Sequence, residues 1–344
     1  MMKYSVGPLT GQLKPKYRVI TMALGEEYKP MNGVDVYIDL GSLIKSMGSS
    51  KKYMNSLPFS TDIETDLVYS ILTTFKHWKD YTRKWDNVRI IMMSNDLRME
   101  GLAEQSVLKS YLVPYNCKYE SEAFSMLKYH WVESLKKVGV VLNYIPNGYL
   151  VTCKRFDSYV LPEIVSDKKR DRIIVTGDPF YTSHFYMKNT KVIYTRFSQY
   201  GLSQISDPLM IVHSVSHIDD DIMQTFTNNR VFYNTLQLFI GCKDRAIQGI
   251  QRLGITEYAS DLIRAIEQRK IPSDPKSVES ILPAVNPQYH DYIKKNYPLI
   301  DIEEHAKLVT PSMVNEVKSG MIDLLDVDGL SKLSIEGMNL LELF

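Results

Sequence analysis

Asp39, Asp96 and Asp178 each follow a short apolar run, in V-D-V-Y-I-D-L, V-R-I-I-M-M-S-N-D and R-I-I-V-T-G-D-P. The runs Val34 to Leu40, Val88 to Met93 and Ile173 to Thr176 read as strands buried on both faces, separated by helical patterns. That alternation predicts an α/β fold, a mostly parallel sheet with helices on both sides. Parallel strands end on one rim, so the three aspartates are expected to converge there. Converging carboxylates repel unless a hard cation lies between them, which points to Mg²⁺ or Mn²⁺. A single strand-end aspartate is more often the N-cap of the following helix, and that reading stands beside the first.

A second constellation lies downstream, in F-I-G-C-K-D-R-A-I-Q-G-I-Q-R-L-G-I-T-E-Y-A from Phe239 to Ala259. Two helical patterns joined by a turn with Gly249 and Gly254 read as a helix-hairpin-helix. The glycines let backbone approach a phosphate, and a second helix opened by Thr256 offers N–H groups to an anion. Lys243, Arg245 and Arg252 supply positive charge around it. Such an element holds a nucleic-acid backbone by shape and charge, not by base sequence. The competing reading is an ordinary connection between two helices with glycine C-caps. The glycine spacing is weak alone, and the strand-end aspartates upstream are what favour nucleic acid.

This order of elements resembles the phage and bacterial 5′-nuclease (flap endonuclease) family, whose core is PIN-like. The resemblance runs from about Val34 to Lys270 and is one of motif order. Asp39 matches the family's first-strand aspartate, Asp96 the one closing the second strand, and Asp178 the first aspartate of a later strand end. Y-L-V-P-Y-N-C-K-Y, Tyr111 to Tyr119, looks like the segment after the family's helical arch. Phe156, Asp157 and Ser158 fall where the family has a Glu-x-Asp-Asp cluster. G-C-K-D-R-A-I-Q-G-I matches the Gly-Asp-x-x-Asp-Asn-x-x-Gly-Val that leads into the hairpin. The resemblance implies a PIN-like 5′-nuclease fold, DNA as partner, metal held by Asp39, Asp96, Asp157 and Asp178, and K⁺ at the hairpin.

The departures bear on activity. Arg155, Phe156 and Ser158 stand at the Glu-x-Asp-Asp cluster beside Asp157, and Phe180 replaces the aspartate after Asp178. Before the hairpin, the family's two aspartates fall on Cys242 and Arg245. Two-metal hydrolysis needs one cation to activate water and another to hold the leaving oxygen. An arginine at the second metal's ligand position opposes that cation, since like charges at about 4 Å repel by several kcal/mol at intermediate dielectric. Between Leu97 and Lys118 the cations Arg98, Lys109 and Lys118 are offset by Glu100 and Glu104, which argues against threading of a single strand. The sequence therefore predicts a protein that binds branched or 5′-ended DNA in phage or bacterial DNA metabolism and cleaves weakly or not at all. Three alternatives stay open: an active Mg²⁺-dependent 5′-3′ exonuclease or flap endonuclease, a pseudo-nuclease subunit of a replication or transcription assembly, and an RNA-cutting PIN enzyme with a single metal.

Composition sets the frame. The chain has 344 residues, of which 44% are hydrophobic and 24% charged, enough for one large domain and a smaller one. The expected division is a nuclease-fold core over 1–230, a helix-hairpin-helix region over 231–270 and C-terminal helices with a tail over 271–344. Cys117, Cys153 and Cys242 suit neither a disulfide framework nor a zinc cluster, and the N-terminus lacks an apolar export core, so a cytoplasmic bacterial or phage-infected setting is expected. A formal net charge of +1 requires any DNA contact to rest on local patches. Lys76, Lys79, Arg83, Lys84 and Arg89 lie along a helix expected from about Asp62 to Lys84, whose stripe Leu67, Ile71, Phe75, Trp78 faces the core; those charges read as its solvated face.

Smaller features take plain readings. Pro146, Asn147 and Gly148 read as a turn joining Val140–Tyr144 to Tyr149–Thr152 in an added hairpin. Asp219, Asp220 and Asp221 read as a helix cap, while His184, His213 and His217 have no metal spacing. The final G-M-N-L-L-E-L-F resembles the short peptides by which replication proteins dock on a sliding clamp, with Leu341, Leu343 and Phe344 as contacts; a terminal helix on the core is the alternative.

Overall fold

The computed structural model describes residues 28–49, 63–95, 122–153, 158–198, 201–205, 229–240, 249, 252–311 and 314–316. Its centre is β1 (Val34–Asp39), the run V-D-V-Y-I-D, in which every residue is buried. β-Branched and aromatic residues favour this setting, and continuous apolar character suits a strand covered on both faces. β1 pairs in parallel with β2 (Val88–Asn95) on one side and with β4 (Asp171–Thr176) on the other. β3 (Gly148–Cys153) extends the parallel set beyond β2, and β5 (Thr190–Ser198) extends it beyond β4. β6 (Gly201–Ile205) and β7 (Val314–Glu316) close the two edges antiparallel, giving the order β6-β5-β4-β1-β2-β3-β7. The fold is the α/β class expected, with a mostly parallel central sheet.

Helices cover the two faces because side chains alternate along each strand. Val34, Val36 and Ile38 pack in one core with α1 (Leu40–Ser49), α2 (Ile63–Tyr81) and α3 (Glu122–Asn143). The stripe Leu67, Ile71, Phe75, Trp78 is buried in that core, as its spacing predicts. Tyr37, Ile91, Met93 and Ile174 face a second core with Tyr159, Tyr181 and Ile302. A third core joins α5 (Arg230–Ile240), α6 (Arg252–Glu267) and α7 (His290–Ile300). Two short helices, α4 (Leu161–Val165) and α8 (Ile302–Lys307), touch each other and contribute Leu161 and Ile302 to the second core.

The reading of Val140–Tyr144 as a strand of an added hairpin is corrected. Val140 to Asn143 end α3, and Gly148 to Cys153 runs parallel to β2, so the turn closes a β-α-β crossover. Trp131, Leu135, Val138, Val141 and Leu142 are all buried at helical spacing, which overrides the local strand propensity of V-G-V-V. Asn147 takes the left-handed conformation this turn needs, at φ 60°. The C-terminal region also differs from a purely helical segment, since β7 returns from it to pair with β3.

At the opposite rim of the sheet, the odd face of β1 begins with Asp35, fully buried. Arg89 on β2, its register partner, donates from Nε to Asp35 Oδ1 at 2.7 Å and from Nη2 to Oδ2. Arg170 donates from Nε to the same carboxylate at 2.6 Å and from Nη2 to the Val34 and Asn87 carbonyls. A Cβ at Gly33, whose φ is +79°, would lie 2.7 Å from Arg170, so glycine makes room for this arginine.

Candidate functional site

Asp39 ends β1 on the face carrying Asp35 and Tyr37, at the carboxyl rim of the sheet, and is 3% exposed. Its Oδ1 accepts the Gly41 N–H at 2.9 Å, making it the N-cap of α1. Its Oδ2 accepts the Ser42 hydroxyl and the Thr176 hydroxyl, the latter at 2.8 Å. Ser42 comes from the first turn of α1 and Thr176 from the end of β4, so the carboxylate joins neighbouring strand ends. The N-cap reading of Asp39 is thereby realised in the structure, and a cation would share a carboxylate already engaged by three donors.

Asp178 lies two residues past β4 and is half-buried. Its backbone N–H donates to Thr176 Oγ1 at 2.9 Å, one hydrogen bond from the Asp39 carboxylate. Tyr181 reports both acids. Burial pushes its hydroxyl well above the ordinary tyrosine value, and the negative charges of Asp39 and Asp178 raise it further. That hydroxyl shares a 2.7 Å hydrogen bond with Ser158 Oγ, which draws the residue after Asp157 to the same rim. Asp96 and Asp157 lie outside the described residues, but Asn95 ends β2 against Cys153 of β3 at this rim.

Asp39 and Asp178 are thus brought together as strand-end acids. Among the described residues, no group of His, Cys, Asp and Glu is arranged to hold a metal ion with three or more side chains. Sequence reasoning missed Ser42, Thr176, Ser158 and Tyr181. Ser42 at three residues after Asp39 and Thr176 at two before Asp178 carry a local signal, because hydroxyls at these offsets reach capping and turn groups.

Behind the rim, Tyr159 ties the C-terminal helices to the sheet. Its hydroxyl donates to the Leu299 carbonyl at 2.7 Å and lies 2.9 Å from His305 Nδ1. With its one proton given to Leu299, the hydroxyl accepts from His305. Asp301 caps α8 through the Glu303 and Glu304 amides at 3.1 Å and takes Asn234 of α5 at 3.0 Å on its other oxygen. His184, read as lacking metal spacing, hydrogen-bonds the Tyr159 carbonyl through Nε2.

The expected helix-hairpin-helix has its flanking helices, α5 and α6, packed with Phe239 stacked on Tyr258 at 4.0 Å and 21°. Lys243 and Arg245 lie outside the described residues, and Gly249 is half-exposed between the helices. The position of the second helix start is corrected. α6 begins at Arg252, so Gly254 and Thr256 lie within it and its unsatisfied N–H groups belong to residues 252–254. Glycine is tolerated in a first turn, where intrahelical bonding is incomplete, so Gly254 does not delay the helix. Of the cations expected along that helix, Arg89 lies on β2 and is committed to Asp35, while Arg83 and Lys84 follow α2 and are exposed beside the edge-on rings of Tyr81 and Trp85. Leu341, Leu343 and Phe344 lie outside the described residues. Among the described residues, no helix is long and apolar enough to cross a membrane.

No family model and no curated protein matches the sequence. In structure, the chain is similar to solved 5′-nucleases at low identity. A bacteriophage T5 protein crystallised with metal ions superposes with a TM-score of 0.44 at 14% identity, covering 90% of this chain and 99% of that one. A T5 flap endonuclease in a pseudo-enzyme–product complex with DNA and metal ions gives 0.42 at 14%, covering 81% and 94%. A T5 5′-exonuclease with bound zinc gives 0.41 at 13%, covering 79% and 91%.

Proposed function

We propose that this chain is a 5′-nuclease-like DNA-binding protein that holds branched or 5′-ended DNA and cleaves it weakly or not at all. One observation carries the reading: the Asp39 carboxylate, the acid that would anchor a metal centre, is engaged by the Gly41 amide and the Ser42 and Thr176 hydroxyls. It serves as a helix cap and a strand-end tie. The sequence departures at Arg155, Phe180, Cys242 and Arg245 support the same reading, since each replaces an acid of the resembled family.

The rim supports a single cation, Mg²⁺ or Mn²⁺, shared by Asp39 and Asp178, with Asp96 and Asp157 as further ligands on the resemblance. A bound divalent cation supplies Lewis acidity and a more acidic water. Of the chain's own groups, Thr176 and Ser42 orient Asp39, and Tyr181 stays protonated and donates or accepts a hydrogen bond with Ser158 without bringing charge. DNA contact is assigned to Lys243, Arg245, Gly249, Arg252, Gly254 and Thr256, with K⁺ at the hairpin on the same resemblance. Docking of Leu341, Leu343 and Phe344 on a sliding clamp is part of the proposal, supported by the resemblance of the motif L-E-L-F to clamp-docking peptides.

Gel-shift titration of flap, nicked and single-stranded DNA over a range of salt tests the binding. Tightest binding to branched duplex, with affinity falling steeply as salt rises, is expected. Equal, salt-insensitive binding of all substrates would refute it.

A further inference from the structure

We propose that Ser42 and Thr176 are positioning residues that lock the Asp39 carboxylate to the backbone carrying Asp178. The inference rests on the reading of this rim as a single-cation site. Both hydroxyls donate to the same oxygen, Oδ2 of Asp39, Thr176 from 2.8 Å. Each also accepts an amide from the turn after β4: Ser42 Oγ takes Gly177 N–H and Thr176 Oγ1 takes Asp178 N–H, both at 2.9 Å. The two oxygens stand 3.4 Å apart.

A hydroxyl has one proton and two lone pairs. Once the proton is directed at Asp39, the lone pairs have fixed directions, and the two successive amides fall on them. Ser42, Thr176 and Asp39 are all buried, so these bonds form in low dielectric, where they are strong and costly to leave unmade. Because Asp39 orients Thr176 and Thr176 holds the Asp178 amide, the two acids cannot shift independently. A cation held between them depends on hydroxyls that need not touch it.

The test uses the full chain with Thr176→Val, Thr176→Ser and Ser42→Ala, and with Asp178→Asn as a control on the cation itself. Without metal, amide exchange of Asp178 is expected to quicken in Thr176→Val and of Gly177 in Ser42→Ala, while Thr176→Ser keeps the original protection. Titration with Mn²⁺ alone, followed by electron paramagnetic resonance, is expected to show affinity weakened by about ten- to a hundred-fold in Thr176→Val and retained in Thr176→Ser, the usual size of an effect on a ligand's supporting hydrogen bond. Mn²⁺ affinity lowered by Asp178→Asn but unmoved by Thr176→Val would overturn the proposal. Exchange unchanged in both Thr176→Val and Ser42→Ala would overturn it as well. If Asp178→Asn leaves Mn²⁺ binding intact, the single-cation reading fails, and the metal-free exchange still decides the role of the hydroxyls. If Thr176→Val does not fold, Ser42→Ala carries both measurements.

Discussion

Thr176 Oγ1 lies 2.8 Å from Asp39 Oδ2, so the acid ending the central strand is tied to the end of its neighbour β4. The same carboxylate caps α1 through Gly41. Asp39 therefore has a structural duty that a carboxylate serving only as a metal ligand lacks.

That duty sets the first prediction. Asp39→Ala in metal-free buffer should destabilise the protein by at least the about 1–2 kcal/mol of a lost N-cap, with further loss from the orphaned hydroxyls. A carboxylate kept only for metal would leave the metal-free melting temperature unchanged or raised. Thermal melts in chelator decide between these outcomes.

Asp35 sets a second. It is fully buried and balances Arg89 and Arg170, with Arg170 itself 8% exposed. Asp35→Asn leaves two guanidinium charges around a neutral group, and removing one partner of a buried ion pair costs about 3–5 kcal/mol. Chemical denaturation should show that loss with DNA binding intact under native conditions, because the network lies at the rim away from Asp39 and Asp178.

Acid stability supplies a third. The Lys137 ammonium, hydrogen-bonded to Glu64, holds its carboxyl below the usual 4.5, with His130 adding to the effect. A carboxyl whose folded pKa is depressed contributes stability above its unfolded value, and the contribution fades as pH falls through the folded one. Glu64→Gln should thus be slightly less stable than the parent above pH 4.5 and converge with it below. The difference should be modest, because the pair is open to solvent screening. Parallel stability curves across that range would refute the assignment.

The hairpin yields a fourth. Gly254 lies in the first turn of α6, so Gly254→Ala should leave stability unchanged or raise it by up to about 1 kcal/mol. Bulky residues at Gly249 and Gly254 together should weaken duplex binding without lowering the melting temperature of the core. Unaltered salt-sensitive affinity in that double variant would end the hairpin assignment.

Much of the architecture was legible because it rests on patterns inside single segments. V-D-V-Y-I-D and R-I-I-V-T are continuous apolar runs, and Leu67, Ile71, Phe75 and Trp78 keep one face of α2 inward. Asp39 and Asp178 could be placed on one rim from strand direction alone. What was not legible depends on register or competition between elements. The pairing of Asp35 with Arg89 exists because β1 and β2 align Asp35 opposite Arg89, and Arg170 reaches it from another strand end. The tail of α3 looked like a strand because V-G-V-V-L is locally β-prone, and burial beneath α2 decides otherwise. β7 is only Val314–Glu316, too short for any period to show. Ser42 and Thr176 read as ordinary hydroxyls until the fold brings them to one carboxylate oxygen.

Single-turnover cleavage of a 5′-flap DNA in saturating Mn²⁺, compared between the parent protein and Asp178→Asn, tests the central claim most directly. The parent is predicted to bind the flap yet cut it no faster than Asp178→Asn, or only slightly faster, with at most one Mn²⁺ bound per chain at the rim. Rapid cutting that Asp178→Asn abolishes, with two Mn²⁺ bound, would contradict the account and make this chain an active two-metal nuclease.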